Sequence, residues 1–238
     1  MPYRRLPNTD QARLRALRNV LKESELQDFN DPIVKFKSII EAKNFLNFFE
    51  KQLSQYQQTL ESQVNANKKY QQIVHNVRIY LSHFIQVFNL SVIRGEIKKE
   101  HKLLYQLDPD NHTVPDLSTE NNLIAWGKNI IDGEYERVRM GGLPIYNPAI
   151  AKVKVHYEVF KEYKATQRLH QNTTNRNWED LVKLRIKADG LILDIWNQIE
   201  TKHRNLKPYS RYMECKKSGV IYYYRKGEKE LTPADDEI

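Results

Sequence analysis

The chain of 238 residues is 40% hydrophobic and 11% aromatic, and its 38 Lys and Arg against 30 Asp and Glu give a net charge of +8. This length can bury a core without disulfides or metals, and the content of 8 Gly and 9 Pro excludes a collagen-like or linker-like chain. The single cysteine, Cys215, excludes an intrachain disulfide and a multi-cysteine zinc site.

The sequence contains no segment expected to enter a membrane. No apolar run approaches the roughly 18 residues that a membrane helix needs. Residues 1–15 lack the apolar segment of a secretory signal. We therefore predict a cytoplasmic protein without a membrane partner.

The first half of the chain has helical periodicity. Residues 9–22 form a predicted short Arg-rich helix. Apolar residues then recur at intervals of three and four, which is typical of a helical seam. These are Ile39, Ala42, Leu46, Phe49, Leu53, Tyr56 and Leu60, followed by Tyr70, Ile73, Val74, Val77, Leu81, Phe84, Ile85 and Phe88. A turn at Asn65-Ala66-Asn67 would make residues 33–95 a first helical hairpin, and one long continuous helix is the alternative.

The second helical half covers residues 119–206. We predict one helix from Thr119 to Gly141-Gly142, a second that starts at Pro148 and fades near residues 172–175, and a last helix over 178–206. The loop 141–148, GGLPIYNP, suggests either a pocket beside Trp126 or a compact helix connection.

Two parts of the helical sequence also resemble each other. Tyr70, Val74, Ile85 and Phe88 match Trp178, Val182, Leu193 and Trp196 at an offset of 108 residues. Either the matches are chance or the fold contains two duplicated helical hairpins. The predicted fold class is all-α, an antiparallel up-and-down bundle of about four long helices within a single domain over residues 1–238.

After Lys207-Pro208 the periodicity changes. Gly219-Val220-Ile221-Tyr222-Tyr223-Tyr224 is rich in β-branched and aromatic residues. We predict a basic, Tyr-rich β element over residues 209–231, either a short hairpin or a single strand with an extended partner. Since an isolated hairpin is marginal in water, its aromatic side should pack on the bundle.

This C-terminal region is the candidate binding surface. Residues 202–229 hold nine Lys and Arg against Glu214 and Glu228, a net charge of +7. Basic groups neutralise phosphates and aromatic rings stack on unpaired bases. The candidate residues are Arg204, Lys207, Tyr209, Arg211, Tyr212, Lys216, Lys217, Tyr222, Tyr224, Arg225 and Lys226. The structural alternative is that the tyrosines pack on the bundle, the cations are only solvated, and the tail Asp235-Asp236-Glu237 folds back to neutralise them.

Patterns of known catalytic and metal sites are missing from the sequence. Only one Glu-x-x-His spacing occurs, at Glu200 and His203, where a di-iron bundle needs two. Phosphate-binding Gly-rich loops and a Gly-x-Ser-x-Gly elbow are absent. Cys215 would be a nucleophile only if Lys216 and Lys217 lowered its pKa and a histidine approached it. We therefore predict no catalytic residues, no cofactor and no metal.

The sequence favours a non-catalytic scaffold or interaction module, with a protein partner or a second copy of the chain. Exposed Phe45, Phe48 or Trp196 would mark a dimer face. The first alternative is a nucleic-acid-binding protein that uses the basic surface. The second is an enzyme or metal protein with a site in the bundle core at His83, Asp189 or Asp194, although an intrahelical ion pair with Arg185 would explain Asp189.

Overall fold

A computed structural model of the protein describes residues 2–24 and 31–236. Within these ranges the α-helices are α1 (Asp10–Ser24), α2 (Phe36–Ile93), α3 (Glu120–Arg139), α4 (Ile150–Lys202) and α5 (Pro208–Lys217). Short 3-10 helices cover Lys99–Tyr105 and Pro233–Asp236, and the strands are β1 (Tyr3–Arg4) and β2 (Tyr222–Tyr223).

Helix α2 is one continuous helix of 58 residues, so the hairpin predicted over residues 33–95 is wrong and the alternative of one long helix is right. The turn predicted at Asn65-Ala66-Asn67 is helical. Asn costs a helix less than about 1 kcal/mol relative to Ala, and residues 36–93 contain neither Gly nor Pro to interrupt the backbone. The helix instead ends just before Gly95, which adopts a left-handed φ of 74°.

Helix α4 is likewise continuous over 53 residues, so the predicted break at residues 172–175 is wrong. The Thr173 hydroxyl donates to the carbonyl of Leu169, 2.9 Å away, as a polar side chain can within a helix. Thr174 and Asn177 are buried and hydrogen-bond to Thr59 of α2. The polar residues that suggest a turn in the sequence therefore form hydrogen bonds between α4 and α2.

The chain divides into two compact units. One comprises Met1–Thr59 with Thr174–Ile238, and the other comprises Leu60–Thr173. In the first unit, Ser38 of α2 donates to Asp194 of α4, and Thr174 donates to Thr59, so these parts of the two helices run antiparallel. Its core includes Leu17 of α1, Phe49, Ile192, Ile195 and the fully buried Trp196.

Two ion pairs join α1 to α4 in this first unit. Arg13 binds both carboxylate oxygens of Asp189, at 2.8 and 2.9 Å. Arg185 binds Asp10 in the same forked geometry, at 2.8 and 2.7 Å. The intrahelical pair predicted between Arg185 and Asp189 is therefore wrong, since each residue finds a better-aligned partner on α1.

The second unit has its own core, where α2 and α4 again run antiparallel and contact α3. Tyr70 of α2 stacks on Phe160 of α4, and Tyr80 stacks on His156. Phe84 and Phe88 are fully buried with Leu123 and Ile130 of α3. The antiparallel packing within each unit confirms the predicted all-α bundle.

The C-terminal segment corrects the predicted β element over residues 209–231. Its first part is helix α5, because Pro208 occupies the first turn, where the missing N–H costs nothing. Only Tyr222–Tyr223 form a strand, which agrees with the predicted alternative of a single strand with an extended partner. The partner is β1 at the other end of the chain, with Tyr3 opposite Tyr223 and Arg4 opposite Tyr222. The small antiparallel sheet is thus a pairing of the two terminal regions.

The single domain and the duplication stay predictions. All four residues of the first predicted copy are buried, whereas Trp178 and Leu193 of the second are exposed. None of the helices within the described ranges combines the length and the apolarity that a membrane crossing requires.

Candidate functional site

The candidate basic surface is built on α5 and the segment after it. Cys215 of α5 and Val220 are buried in the core of the first unit. Gly219 between them has a left-handed φ of 96°, which turns the chain from α5 towards β2. These anchors fix the backbone that carries the basic residues.

The predicted tyrosines form a packed cluster. The ring of Tyr212 lies 5.5 Å from that of Tyr222 and 6.0 Å from that of Tyr224, measured between centroids. All three are half-buried. The Tyr224 hydroxyl accepts a hydrogen bond of 3.2 Å from the amide of Leu231. The structural alternative therefore describes these rings well, because they pack against each other in tilted and edge-on geometry.

Tyr222 joins the cluster to α4. Its hydroxyl donates to the carboxylate of Glu200 over 2.7 Å, and Glu200 also pairs with Arg4 at 3.5 Å. Burial, reinforced by the hydrogen bond to Glu200, raises the pKa of Tyr222. The tyrosine is therefore a neutral donor in a fixed orientation.

Cys215 does not have the environment of a nucleophile. Its side chain is fully buried, and burial raises the pKa of the thiol. Lys216 and Lys217 lie next to it in sequence but are exposed on the outer side of α5. The group is thus held in its protonated form, which is the weaker nucleophile.

The acidic tail folds back on α5 as the structural alternative describes, but at one end of the surface only. Asp236 accepts hydrogen bonds from the backbone amides of Tyr209 and Ser210, at 2.7 and 2.9 Å. Lys207 donates to the Asp236 carbonyl, and Asp235 pairs with Lys229 at 3.6 Å. Glu237 lies outside the described residues.

Six predicted cations remain exposed without an ion pair, although one of them, Lys207, donates to the backbone carbonyl of Asp236. Among the described residues, none of the following forms an ion pair: Arg204, Lys207, Lys216, Lys217, Arg225 and Lys226. The Arg225 guanidinium lies 3.9 Å from the ring centroid of Tyr3, and the Lys216 ammonium lies 5.5 Å from that of Tyr212. The tyrosines thus position two cations and leave their charges available.

The structure does not place all predicted residues on this exposed face. Arg211 is half-buried and donates to the carbonyl of Glu200 at the end of α4. Tyr3 and Arg4 of β1 are not among the predicted residues but belong to this surface, since Tyr3 contacts Arg225 and Arg4 pairs with Glu200. The prolines at positions 2 and 7 mark an extended N-terminal segment, but a two-residue strand gives no periodic signal that would identify its partner.

The loop 141–148 does shape a groove, but beside other residues than predicted. The groove has a volume of about 530 Å³ and lies in the second unit. It is formed with Val87, Ile97 and His101, and Trp126 does not line it. Both sequence alternatives are therefore partly right, because the loop is also a compact connection, with a Tyr146–Ala149 bridge.

The residues considered for a core site or a dimer face are dispersed. His83 and Asp194 are exposed, and Asp189 is paired with Arg13. Within the described ranges, no group of three His, Cys, Asp or Glu could hold a metal ion. Of the three aromatic residues named for a dimer face, Phe45 and Trp196 are buried and Phe48 is exposed.

Comparison with known proteins gives no relative. No protein-family model, no curated protein and no solved structure matches the chain.

Proposed function

We propose that this protein is a non-catalytic interaction module that binds an acidic protein partner in the cytoplasm through the basic surface, defined as Arg204, Lys207, Lys216, Lys217, Arg225 and Lys226. The observation that carries the proposal is that all six cations are exposed and form no ion pair with a described residue. Lys37, Lys43 and Lys51 are also exposed and form no ion pair with a described residue, but residues 37–51 have a net charge of +1, whereas residues 202–229 have a net charge of +7.

The tyrosine cluster favours a protein partner over a nucleic acid. Stacking on unpaired bases needs exposed ring faces, whereas Tyr212, Tyr222 and Tyr224 turn their rings towards each other. In the proposal these tyrosines hold the surface rigid, which lowers the entropy cost of ordering side chains when the partner binds. Carboxylate groups on the partner would then meet fixed cations.

Nucleic-acid binding is the second candidate. It is favoured by the same cations and by one aromatic pair, since Tyr3 and Tyr223 are both partly exposed with ring centroids 5.9 Å apart. These two rings would have to supply all of the stacking. Replacing Tyr223 by Ala, which keeps the contact between Tyr3 and Arg225, should therefore weaken oligonucleotide binding but leave binding of an acidic peptide nearly unchanged.

The test is a fluorescence anisotropy titration of the full chain with a labelled polyglutamate peptide. A triple variant, Lys216→Gln with Lys217→Gln and Lys226→Gln, should weaken binding about tenfold or more, since each exposed ion contact contributes up to about 1 kcal/mol. The control is Lys37→Gln with Lys43→Gln and Lys51→Gln, which removes the same charge from exposed positions of α2. This control should change the affinity for polyglutamate less than about twofold, because it lowers the net charge without removing a contact at the basic surface.

Labelled single- and double-stranded oligonucleotides, at roughly 50 and 200 mM salt, separate the two candidates. Tighter binding of an oligonucleotide than of polyglutamate, weakened when Tyr223 is replaced by Ala, would establish the second candidate instead. Equal weakening by the two triple variants would refute a localised surface. A second copy of the chain as the partner would appear as a concentration-dependent mass in sedimentation.

A further inference from the structure

The groove beside the loop 141–148 contains a buried cation with an open hydrogen-bonding position. Arg137 of α3 is only 3% exposed and lines this groove. Its Nε and Nη2 atoms bind the carboxylate of Glu134, at 3.0 and 2.8 Å. Nη2 also donates to the carbonyl of Leu143, and Nε to the hydroxyl of Tyr105, both at 2.8 Å.

The third nitrogen of this guanidinium remains unused. Among the described residues, Nη1 of Arg137 has no hydrogen-bond partner, and it is not one of the fully buried unpaired atoms. It therefore reaches the groove. A guanidinium held in one orientation by its other nitrogens is a pre-organised donor for an oxygen anion.

The glycine at position 142 keeps this nitrogen accessible. A Cβ added to Gly142 would lie 2.7 Å from Nη1 of Arg137 and 2.9 Å from the Arg137 carbonyl. Any other residue would thus press on the guanidinium or displace it. The space at this position is the space in which a ligand oxygen could approach Nη1.

Two further cationic or donor groups line the same groove, Lys98 and His101. Neither side chain has an ion pair or hydrogen bond with a described residue. Glu96 also lines the groove, but Arg94 neutralises it at 3.0 Å. Because Glu134 neutralises Arg137, the charge of Lys98 is left uncompensated, which suits an anion with a single negative charge.

The groove also has apolar lining residues, next to the polar Ser91 and Asn147. Ile97 and Val87 line it, and Leu143 and Tyr146 on the loop are 80% and 81% exposed. Large apolar side chains with this exposure beside a concave surface are typical of a binding site. The volume of about 530 Å³ falls within the range of sites for small organic molecules.

We propose that this groove binds a small organic monocarboxylate with an apolar body, whose carboxylate contacts Arg137 Nη1 and Lys98 and whose apolar body covers Ile97 and Leu143. A dianionic phosphate is disfavoured because only one cationic charge is uncompensated. The site lies within the second unit and is independent of the basic surface.

Titration of the full chain with octanoate, followed by calorimetry and by NMR of the Arg137 side chain, tests this site. We expect saturable binding with a dissociation constant near or below about 1 mM, and shifted Arg137 guanidinium signals. Neutral octanamide and inorganic phosphate should bind more weakly. Lys98→Gln should weaken octanoate binding about fivefold, the upper range for an exposed charge pair.

Lys99→Gln is the matched control, because Lys99 is the adjacent exposed lysine, pairs with Asp110 and does not line the groove. It should leave the affinity for octanoate unchanged, whereas Gly142→Ala should abolish binding in a variant whose circular dichroism shows that it is folded. Absence of saturable octanoate binding to the wild type would overturn the proposal. Equal affinity for octanamide, tighter binding of phosphate, or an equal effect of the two lysine variants would do so as well.

Discussion

Two glycines inside helices have opposite surroundings, and this difference gives a prediction at the scale of single residues. A Cβ at Gly133 of α3 would lie 2.7 Å from the ring of Tyr105 and 2.8 Å from the carbonyl of Leu104. Gly190 of α4 has no such neighbour within 4 Å. The first glycine is required by close packing, and the second is not.

We expect Gly133→Ala to lower the free energy of unfolding by about 1–3 kcal/mol, the usual cost of overpacking a core. Gly190→Ala should raise it by roughly 0.5–1 kcal/mol, because Ala loses less backbone entropy in a helix. Urea denaturation of both variants measures the two values. A stabilising effect of Gly133→Ala would contradict the packing described around Tyr105.

The sequence predicts residue types better than it predicts residue partners. The apolar seam residues Ala42, Leu46, Phe49 and Leu53 are buried as their spacing indicates. The spacing of Arg185 and Asp189 also indicates charge pairing, but their partners lie on α1, about 175 positions away in the chain. Periodicity reports which face of a helix is apolar and contains no information about which helix covers it.

At the scale of elements, helix α5 shows that a residue distant in sequence can cap the N-terminal end of a helix. Lys207 at the N-cap supplies no acceptor for the first amides of the helix. Asp236 supplies it instead, through the amides of Tyr209 and Ser210. Burial acts to raise the pKa of Asp236, but the hydrogen bonds from Ser210 and Tyr209 outweigh it and hold the pKa below its ordinary value.

Asp236→Ala should therefore increase amide hydrogen exchange in the first turn of α5, because two donors lose their acceptor. Glu230→Ala is the control, since Glu230 is exposed and has no hydrogen bond or ion pair with a described residue. Exchange should be compared well above pH 3.8. A carboxylate whose pKa is lowered by folding stabilises the folded state when the pH is above its pKa in the unfolded chain. This stabilisation is lost as the pH falls through the pKa in the folded state. Unchanged exchange in Asp236→Ala would show that the cap does not hold the helix.

Helical periodicity identifies the helical segments correctly, but the breaks that it predicts inside α2 and α4 are wrong. Polar clusters at residues 65–67 and 172–175 resemble turns, yet both lie in stretches without Gly or Pro, and a helix tolerates them when their side chains find partners. Asn67 accepts a hydrogen bond of 3.2 Å from Gln167, and Asn177 donates one to Thr59. These partners belong to another helix, so the sequence cannot reveal them.

At the scale of the molecule, the candidate surface was predicted as a basic and aromatic segment. The structure separates the two components within that segment. The tyrosines turn inwards and the six cations turn outwards. This division could not be deduced from the sequence, because it depends on α5 and on the pairing of β2 with β1. The proposed role as an interaction module rests on the outward-facing charges.

The central claim is that an acidic partner binds at the basic surface, and amide hydrogen exchange of the full chain with and without polyglutamate tests it most directly. We predict slower exchange within residues 204–226, strongest in α5 and after β2, with no change in α3. The protection should disappear in the Lys216→Gln, Lys217→Gln, Lys226→Gln variant. Protection confined to other segments, or binding without protection of residues 204–226, would contradict the account.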